Sequence, residues 1–212
     1  MQNISEFSNR VINADCLAVL PQLPDSSVDF VLTDPPYLVG YRDRNGRSLA
    51  GDVDGQWLAP SFAQLYRVLK PGRFCVSFYG WNKVDQFFAA WKAASFSAAG
   101  HLVWVKRYTS SRGMLAYQHE QAYLLVKGKA ARPRFPLPDV LDWQYTGNPY
   151  HPTQKPVRSL KPVIEAFTNR GEVVLDPFCG SGSTLLAAKI LGRRFIGIEL
   201  DAEHCKTARQ RC

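Results

Sequence analysis

The sequence predicts a single α/β domain, and three observations support this fold class. Short apolar runs such as residues 28–32 and 173–175 have the length and composition of buried parallel strands. Segments with apolar residues at helical spacing separate these runs. The chain of 212 residues is long enough for one substantial core, and neither a change in composition nor an internal repeat divides it. We therefore expect one sheet with helices packed on it.

The elements can be placed in order along the chain. The predicted strands are residues 11–16, 28–32, 74–79, 101–105, 122–126, 173–175 and 195–198. The predicted helices are a brief turn at 17–23 and longer segments at 58–69, 82–91, 160–167, 186–191 and from 201 onward. Asn82 and Asp201 are candidate caps for the helices that follow them. Only a loop separates strands 101–105 and 122–126, so we expect them to be antiparallel neighbours.

Three segments without periodicity are predicted to be inserts. Residues 38–56 hold four glycines and suggest a mobile loop over a site. Residues 107–121 form the second insert. Residues 128–150 begin a proline-rich extended segment in which residues 140–143 can pair briefly with a strand.

The segment from Thr33 to Tyr37 is predicted to form an active site at the end of a strand. Ligands of open α/β sheets bind just beyond the carboxyl ends of the strands, where Asp34 lies. Pro35 and Pro36 lack N–H groups and stiffen the backbone, so the Asp34 carboxylate and the Pro35 carbonyl are held as acceptors. The exocyclic amine of adenine or cytosine is a poor nucleophile because its nitrogen lone pair is delocalised into the ring. Two acceptors that hold its N–H groups make this lone pair available, while the ring of Tyr37 stacks on the base. An ordinary Asp-Pro-Pro turn is the alternative.

A second segment, residues 176–184, has the pattern of a nucleotide-type cofactor site and is called the glycine loop below. It starts at Asp176, contains Gly180-x-Gly182 and leads into a helix, and the next strand ends at Glu199. Glycines let the backbone approach a ligand at a helix N-terminus, and the second acid can accept hydrogen bonds from ribose hydroxyls. The loop has neither the third glycine nor the lysine of phosphate-binding loops. It therefore favours a cofactor with a ribose and no phosphate, such as S-adenosylmethionine; a tight turn without a ligand is the alternative.

The formal net charge of +8 and the pI near 9.4 indicate either a polyanionic partner or a merely basic surface. Several basic residues lie in the inserts near the candidate site and suggest contact with a phosphate backbone; a solvated basic face is the alternative. These residues, with one aromatic neighbour, are Arg42, Arg44, Arg47, Lys106, Arg107, Tyr108 and Arg112.

The cysteines and histidines give no sign of a metal site. The five cysteines contain no C-x-x-C pair, and the four histidines lack the spacing of metal ligands. An odd number of thiols favours a reducing compartment. No run of 18 uncharged apolar residues and no signal-like segment is present. We expect a soluble cytoplasmic protein that needs neither a metal nor a membrane.

Taken together, the motifs resemble those of the amino-methylating DNA methyltransferases, the N6-adenine and N4-cytosine family. The subgroup that the chain resembles has Asp-Pro-Pro-Tyr before the glycine loop, which is a permuted motif order. The matching segments are residues 13–16, 33–37, 69–72, 103–106, 151–156, 176–184 and 196–199. The resemblance implies a single-domain Rossmann-like methyltransferase fold, with a mostly parallel seven-stranded sheet and helices on both faces. In that fold the strands that end at Asp34 and Asp176 are central neighbours.

The resemblance also implies a role for each motif residue. Asp34, Pro35, Pro36 and Tyr37 are expected to orient and stack on a target base swung out of the duplex. The implied cofactor is S-adenosylmethionine, bound by Asp15, Cys16, Lys155, Asp176, Phe178, Gly180, Gly182, Thr184 and Glu199. Within this set, Asp15 would hold the adenine amine of the cofactor and Glu199 its ribose hydroxyls. Lys155 and Thr184 would lie near its carboxylate.

The implied partner is DNA, contacted by the three inserts, and a homodimer is compatible with the family. The inserts are short compared with the recognition regions usual in the family, so we expect weak or short sequence specificity, or help from a second subunit. An Asp before Pro-Pro-Tyr favours N6 of adenine. The alternatives are N4-cytosine methylation, an RNA or protein-glutamine methyltransferase, and a non-catalytic partner subunit.

Overall fold

The computed structural model describes residues 3–40, 51–133, 135–147, 150 and 154–212. The strands are β1 (Arg10–Asn13), β2 (Val28–Thr33), β3 (Leu69–Phe78), β4 (Ser97–Val105), β5 (Ser111–Arg112), β6 (Ala116–Tyr117), β7 (His119–Val126), β8 (Val140–Asp142), β9 (Val173–Asp176) and β10 (Arg194–Glu199). The helices are α1 (Cys16–Val19), α2 (Leu58–Val68), α3 (Val84–Ala93), α4 (Val157–Phe167), α5 (Ser183–Ile190) and α6 (Ala202–Arg211).

Eight strands form one sheet in the order β1-β10-β9-β2-β3-β7-β4-β8. All neighbouring strands are parallel except at β7, which is antiparallel to β4, as expected, and also to β3. The sheet therefore has one strand more than the seven expected. The additional strand is β8, a three-residue edge strand in the proline-rich segment that pairs with the end of β4.

Helices cover both faces of the sheet, as the resemblance implies. One core packs Phe62 of α2 and Trp91 of α3 against one face. The other core packs Ile164 of α4, Leu185 of α5 and Ala208 of α6 against the opposite face. The strands between them are buried on both sides, which explains why the central runs are apolar throughout rather than alternating.

β2 and β9 pair in parallel at the centre of the sheet, with Phe30 opposite Val174 and Val31 opposite Leu175. Beyond this pair the chain passes from β2 to its neighbour β3 on one side, and from β9 to its neighbour β10 on the other. Such a reversal of winding opens a crevice at the carboxyl ends of the strands. Asp34 and Asp176 therefore lie next to the same crevice.

Some predicted boundaries were wrong. β3 begins at Leu69, so residues 69–72 start a strand rather than ending a helix. The strand predicted at 11–16 ends at Asn13, and Asp15 instead caps α1 by accepting from the Leu17 N–H at 2.8 Å. Asn82 lies inside a 3-10 turn, and α3 has no side-chain cap.

The predicted helix cap at Asp201 is confirmed. Asp201 caps α6 by accepting from the N–H groups of Glu203 and His204. The insert 38–56 lies partly outside the described residues, but its two described ends meet, because the Asp52 carboxylate accepts from the Leu38 N–H at 2.7 Å. Within the described ranges, no helix combines the length and the apolar character that crossing a membrane requires.

We expect Gly197→Ala to destabilise the fold by about 1–3 kcal/mol, because overpacking of a dense core costs that much. A Cβ at Gly197 would lie 2.3 Å from Leu185 Cδ1 and 3.0 Å from Cys179 Sγ. Urea unfolding measures the change. Gly100→Ala is the matched control, because the Cβ there would meet its nearest atom at 3.7 Å. Equal free energies of unfolding for the two variants would contradict the prediction.

Candidate active site

A cavity of about 370 Å³ lies at the carboxyl ends of the central strands. It brings the Asp34 segment and the glycine loop together. Of the residues implicated by the sequence, the cavity is lined by Asp15, Cys16, Asp34, Pro36, Lys155, Asp176, Phe178, Gly180, Thr184 and Glu199. Further lining residues are Ala14, Gly51, Trp57, Gln154, Pro177, Cys179, Ser181, Ser183, Leu200, Asp201 and His204.

The glycine loop turns sharply from β9 into α5. Gly180 and Gly182 have φ angles of +50° and +81°, which residues with a Cβ atom rarely adopt. Gly182 does not line the cavity. It packs against α6, where a Cβ would lie 3.0 Å from the Cβ of Ala208. Gly182 thus allows α5 and α6 to approach each other, whereas Gly180 faces the cavity.

Glu199 ties the glycine loop to the end of β10. One carboxylate oxygen accepts from the Gly180 N–H at 2.8 Å, and the other accepts from the Asp201 N–H at 2.8 Å. A carboxylate oxygen can accept more than one hydrogen bond, so both oxygens can still receive a hydroxyl. Glu199 is therefore held rigidly at the rim of the cavity and remains able to bind a ligand.

The aromatic rings of Trp57 and Phe178 form one wall of the cavity. Phe178 was implicated by the sequence, but its partner Trp57 was not. The rings meet edge to face with centroids 4.9 Å apart, and the Trp57 indole N–H donates to the Gly51 carbonyl at 2.7 Å. The sequence offered no signal for Trp57 because it lies just before α2, 121 positions from its partner in the chain.

Asp176 is buried at the floor of the cavity, with its carboxylate accepting from the Phe178 N–H at 3.2 Å. Burial raises the pKa of Asp176 from 3.8 to about 7, although hydrogen bonds oppose the rise. The folded protein therefore holds a proton on Asp176 at pH values where the unfolded chain would release it.

Asp34 is surrounded by hydrogen-bond donors. The Tyr37 hydroxyl donates to one carboxylate oxygen at 2.6 Å, and the Lys155 ammonium is 2.7 Å from the other. The same ammonium lies 3.2 Å from the Tyr37 hydroxyl oxygen. Burial raises the pKa of the Asp34 carboxyl, and Lys155 opposes that rise. Burial and the neighbouring Asp34 hold the pKa of Tyr37 well above its usual value, so the hydroxyl stays protonated and donates.

Two further charged residues lie near Lys155. The sequence analysis did not single out Glu120, and it assigned Lys106 to a basic surface. Glu120, at the start of β7, forms an ion pair with Lys106 and lies 3.8 Å from Lys155. Burial alone would raise the pKa of Glu120, but the two ammonium groups lower it. Burial alone would lower the pKa of Lys155, but Asp34 and Glu120 raise it. Two carboxylates and two ammonium groups thus form one connected, balanced cluster.

Lys106 was expected to belong to a basic surface, and this expectation was wrong. Its side chain is buried, and its ammonium pairs with Glu120 because an unpaired charge there would be costly. Arg107 and Arg112 are exposed, and Tyr108 is half-buried with its ring 5.0 Å from that of Tyr145. Arg42, Arg44 and Arg47 lie outside the described residues.

Fold and site together define an amino-group DNA methylase. The chain belongs to the family described as DNA methylase (N6_N4_Mtase), which matches residues 28–210. In the described part of the chain, no group of three or more His, Cys, Asp or Glu side chains is arranged to hold a metal ion.

Two relatives come from Escherichia coli (strain K12). YubD is 56% identical over 203 residues, which cover 96% of this chain and 89% of YubD. The DNA adenine methyltransferase YhdJ is 31% identical over 245 residues, covering 95% of this chain and 81% of YhdJ. Both matches span nearly the whole chain, so they concern the fold and the site together.

Solved structures show the same fold. The crystal structure of the M1.HpyAVI–SAM complex matches with a TM-score of 0.75 and 26% identity, covering 95% of this chain and 98% of the other. The PvuII DNA methyltransferase, named as cytosine-N4-specific, matches with a TM-score of 0.76 and 18% identity over 95% of this chain and 85% of the other. This second likeness concerns the fold alone.

The raised pKa of Asp176 predicts a pH-dependent difference between the wild-type protein and Asp176→Asn. The unfolded chain loses this proton near pH 3.8 and the folded protein near pH 7. Wild-type stability should therefore fall relative to the variant as the pH rises from about 4 to about 7, by up to about 4 kcal/mol, and then level off. Urea unfolding of both proteins at several pH values measures the difference in their free energies of unfolding. A difference that is constant over this range would contradict the assignment.

Proposed function

We propose that this protein transfers a methyl group from S-adenosylmethionine to the N6 amine of adenine in DNA. The observation that carries the proposal is that Asp34 lines the same cavity as the glycine loop and Glu199. A hydrogen-bond acceptor for an amine and a site for a methyl donor thus lie within one space. Membership of the DNA methylase family supports this reading.

The chemistry of the cavity fits S-adenosylmethionine. Its described lining includes five acidic side chains, from Asp15, Asp34, Asp176, Glu199 and Asp201, against one ammonium, from Lys155. Even when Asp176 holds its proton, the carboxylates outnumber the ammonium. A surplus of carboxylates repels phosphates but suits hydroxyl donors and a cationic sulfonium. The Ser183 hydroxyl, buried at the cavity, has no hydrogen-bond partner among the described residues and can serve a ligand. When bound, the cofactor supplies an electrophilic methyl group.

We assign the cofactor contacts as the resemblance implies, with one change. Glu199 receives the ribose hydroxyls, Asp15 the adenine amine, and Phe178 packs against the ligand. Thr184 lies near the carboxylate of the cofactor. Lys155 is assigned to the target side instead, because its ammonium bonds to Asp34 at 2.7 Å.

The Asp34 segment prepares an acceptor for the target amine. Because Pro35 and Pro36 stiffen the chain and the Tyr37 hydroxyl holds one oxygen, the carboxylate has a fixed direction before substrate arrives. When it accepts an amine N–H, the nitrogen lone pair is directed at the electrophile. The amine proton that becomes acidic on methylation can pass to the Asp34 carboxylate or to water.

DNA binding rests on the basic residues of the inserts. Arg107, Tyr108 and Arg112 flank the site in the second insert, and Arg42, Arg44 and Arg47 are assigned to the first. Such residues contact phosphates without reading sequence. Because an amine inside a duplex cannot reach the cavity, the target base must be flipped out. A cytoplasmic location agrees with the five free cysteines.

N4 of cytosine is the second candidate, because its exocyclic amine poses the same chemical problem. The name of YhdJ as a DNA adenine methyltransferase favours adenine. Nucleoside analysis separates the two. Purified protein is incubated with duplex DNA and methyl-labelled S-adenosylmethionine, and the DNA is digested. We expect the label in N6-methyladenine. Label in N4-methylcytosine would overturn the assignment of adenine as the target base. Label in RNA or protein but not in DNA would overturn the assignment of DNA as the substrate.

Asp34→Ala should lower the rate of methyl transfer by roughly 100- to 1,000-fold or more, because the acceptor for the amine is lost. Affinity for S-adenosylmethionine, measured by calorimetry, should be retained. Tyr37→Ala should raise the free-energy barrier to methyl transfer by about 1–3 kcal/mol, because the ring that stacks on the target base is lost. Asp139→Ala, which removes an exposed carboxylate elsewhere, is the control. Turnover by Asp34→Ala at the rate of this control would exclude the role assigned to Asp34.

A further inference from the structure

A small hairpin, formed by β5 and β6, projects from the sheet edge that carries the active site. The chain leaves the sheet after β4, forms the hairpin and returns into β7. Because β7 is antiparallel to β3, its first residues lie at the carboxyl end of β3. The hairpin therefore rises on the same edge as Asp34, on the side of the cavity away from β10.

Contacts at its base hold the hairpin close to the active-site tyrosine. The Ser110 N–H donates to the Tyr117 carbonyl at 2.9 Å. The Tyr117 ring stacks on Trp81, with centroids 6.1 Å apart and planes at 29°. Trp81 follows Gly80, and a Cβ at Gly80 would lie only 2.8 Å from the Tyr37 carbonyl oxygen. Gly80 and Trp81 thus lie between the backbone of Tyr37 and the hairpin.

The tip of the hairpin is apolar and open to solvent. Met114 is 100% exposed and Leu115 is 70% exposed. Turns normally carry polar residues or glycine, and two adjacent large apolar side chains gain nothing by lying in water. Residues 107–119 contain two arginines and no acid. An apolar tip on a basic, aromatic hairpin fits a base stack lying between two phosphate backbones.

We propose that the Met114–Leu115 tip is a wedge that enters the base stack of duplex DNA beside the flipped target. Apolar side chains inserted between base steps compensate for lost stacking. The wedge is needed when the target base is paired and is dispensable when the base is already unpaired. The inference rests on the proposed function, since a wedge of this kind serves only an enzyme that acts on a duplex.

The test compares two duplexes of one sequence. Wild-type protein first methylates duplex DNA of random sequence, and the labelled sequence is identified. That sequence is then made as a fully paired duplex and as a duplex with an abasic residue opposite the target. For the double variant Met114→Ser/Leu115→Ser, kcat/KM should fall roughly 10- to 100-fold on the paired duplex. It should stay within about threefold of wild type on the abasic duplex.

Ile190→Ser is the matched control, because Ile190 is 55% exposed at the end of α5 and far from this hairpin in the fold. It should change neither rate. Equal decreases in kcat/KM on the two duplexes would show that the tip contributes to DNA binding in general and is not a wedge. Wild-type kcat/KM for the double variant on both duplexes would exclude any role of the tip. Both results overturn the inference while leaving the proposed function intact. Failure of wild-type protein to label any DNA would instead overturn the proposed function.

A second inference comes from the buried charge cluster, independently of the hairpin. Both carboxylate oxygens of Asp34 already have donors, from Tyr37 and Lys155. A carboxylate oxygen can accept a further hydrogen bond, so a target amine either joins one of these donors or takes its place. The Lys155 ammonium lies 2.7 Å from Asp34 and 3.8 Å from Glu120, so a short movement would bring it into direct contact with Glu120. We infer that Glu120 is a positioning residue that receives Lys155 when the target amine binds Asp34.

The inference is tested by a double-mutant cycle in methylation, and it too rests on the proposed function. Glu120→Gln removes the second carboxylate and should lower kcat/KM for DNA roughly 10- to 100-fold, because Lys155 then competes with the amine for Asp34. In a Lys155→Met background the same change should have no further effect. Cofactor affinity, which reports the folded site, should stay within about twofold of wild type for each variant.

Equal losses from Glu120→Gln with and without Lys155 would show that Glu120 does not act through Lys155, and no loss at all would exclude a role in turnover. Glu120→Gln/Lys106→Gln removes one charge of each sign and guards against misfolding caused by an unpaired Lys106. We expect it to lose activity as the single variant does. Wild-type activity in this double variant would also overturn the inference. Absence of methylation by the wild-type protein would overturn the proposed function itself.

Discussion

The pairing of β2 with β9 is the constraint on which the site depends. Two parallel strands at the centre of the sheet end side by side, so the acids that follow them, Asp34 and Asp176, leave the sheet at neighbouring points. The chain then diverges to opposite sides, which opens the cavity between them. A slip of one residue in this register would turn the preceding side chains to opposite faces of the sheet. The same pairing that builds the core therefore also sets the distance between Asp34 and the glycine loop.

The site also depends on a balance of buried charges. Asp34 and Glu120 are matched by Lys155 and Lys106, so a half-buried acceptor can remain in place without a net charge in the interior. Each member restrains its neighbours, and Asp34 is oriented before any substrate binds. Groups fixed in advance need no reorganisation during reaction, which is how protein dipoles and charges contribute most to catalysis.

Much of the fold could be predicted from the sequence because its signals are local. Apolar runs ending in acids marked β2 and β9, and glycines marked the turn into α5. The residues that the sequence did not reveal depend on contacts between distant segments. Trp57 meets Phe178 only after the sheet has formed. Glu120 reaches the carboxyl edge because β7 runs antiparallel, and a lone acid at the start of a strand carries no local sign of that direction. Lys155 was assigned to the cofactor from its motif, whereas its nearest anion in the structure is Asp34.

The direction of β7 has a further consequence. A parallel strand enters the sheet at the edge away from the crevice, but β7 enters at the crevice itself, so the hairpin before it begins and ends beside the crevice. The hairpin contributes no strand to the main sheet. Surface loops tolerate insertions and deletions well, because lengthening a loop adds little closure entropy. Among descendants of this chain, the segment between β4 and β7 could therefore change in length and composition while the chemistry below it stays the same. Substrate preference can therefore diverge here at little cost to folding.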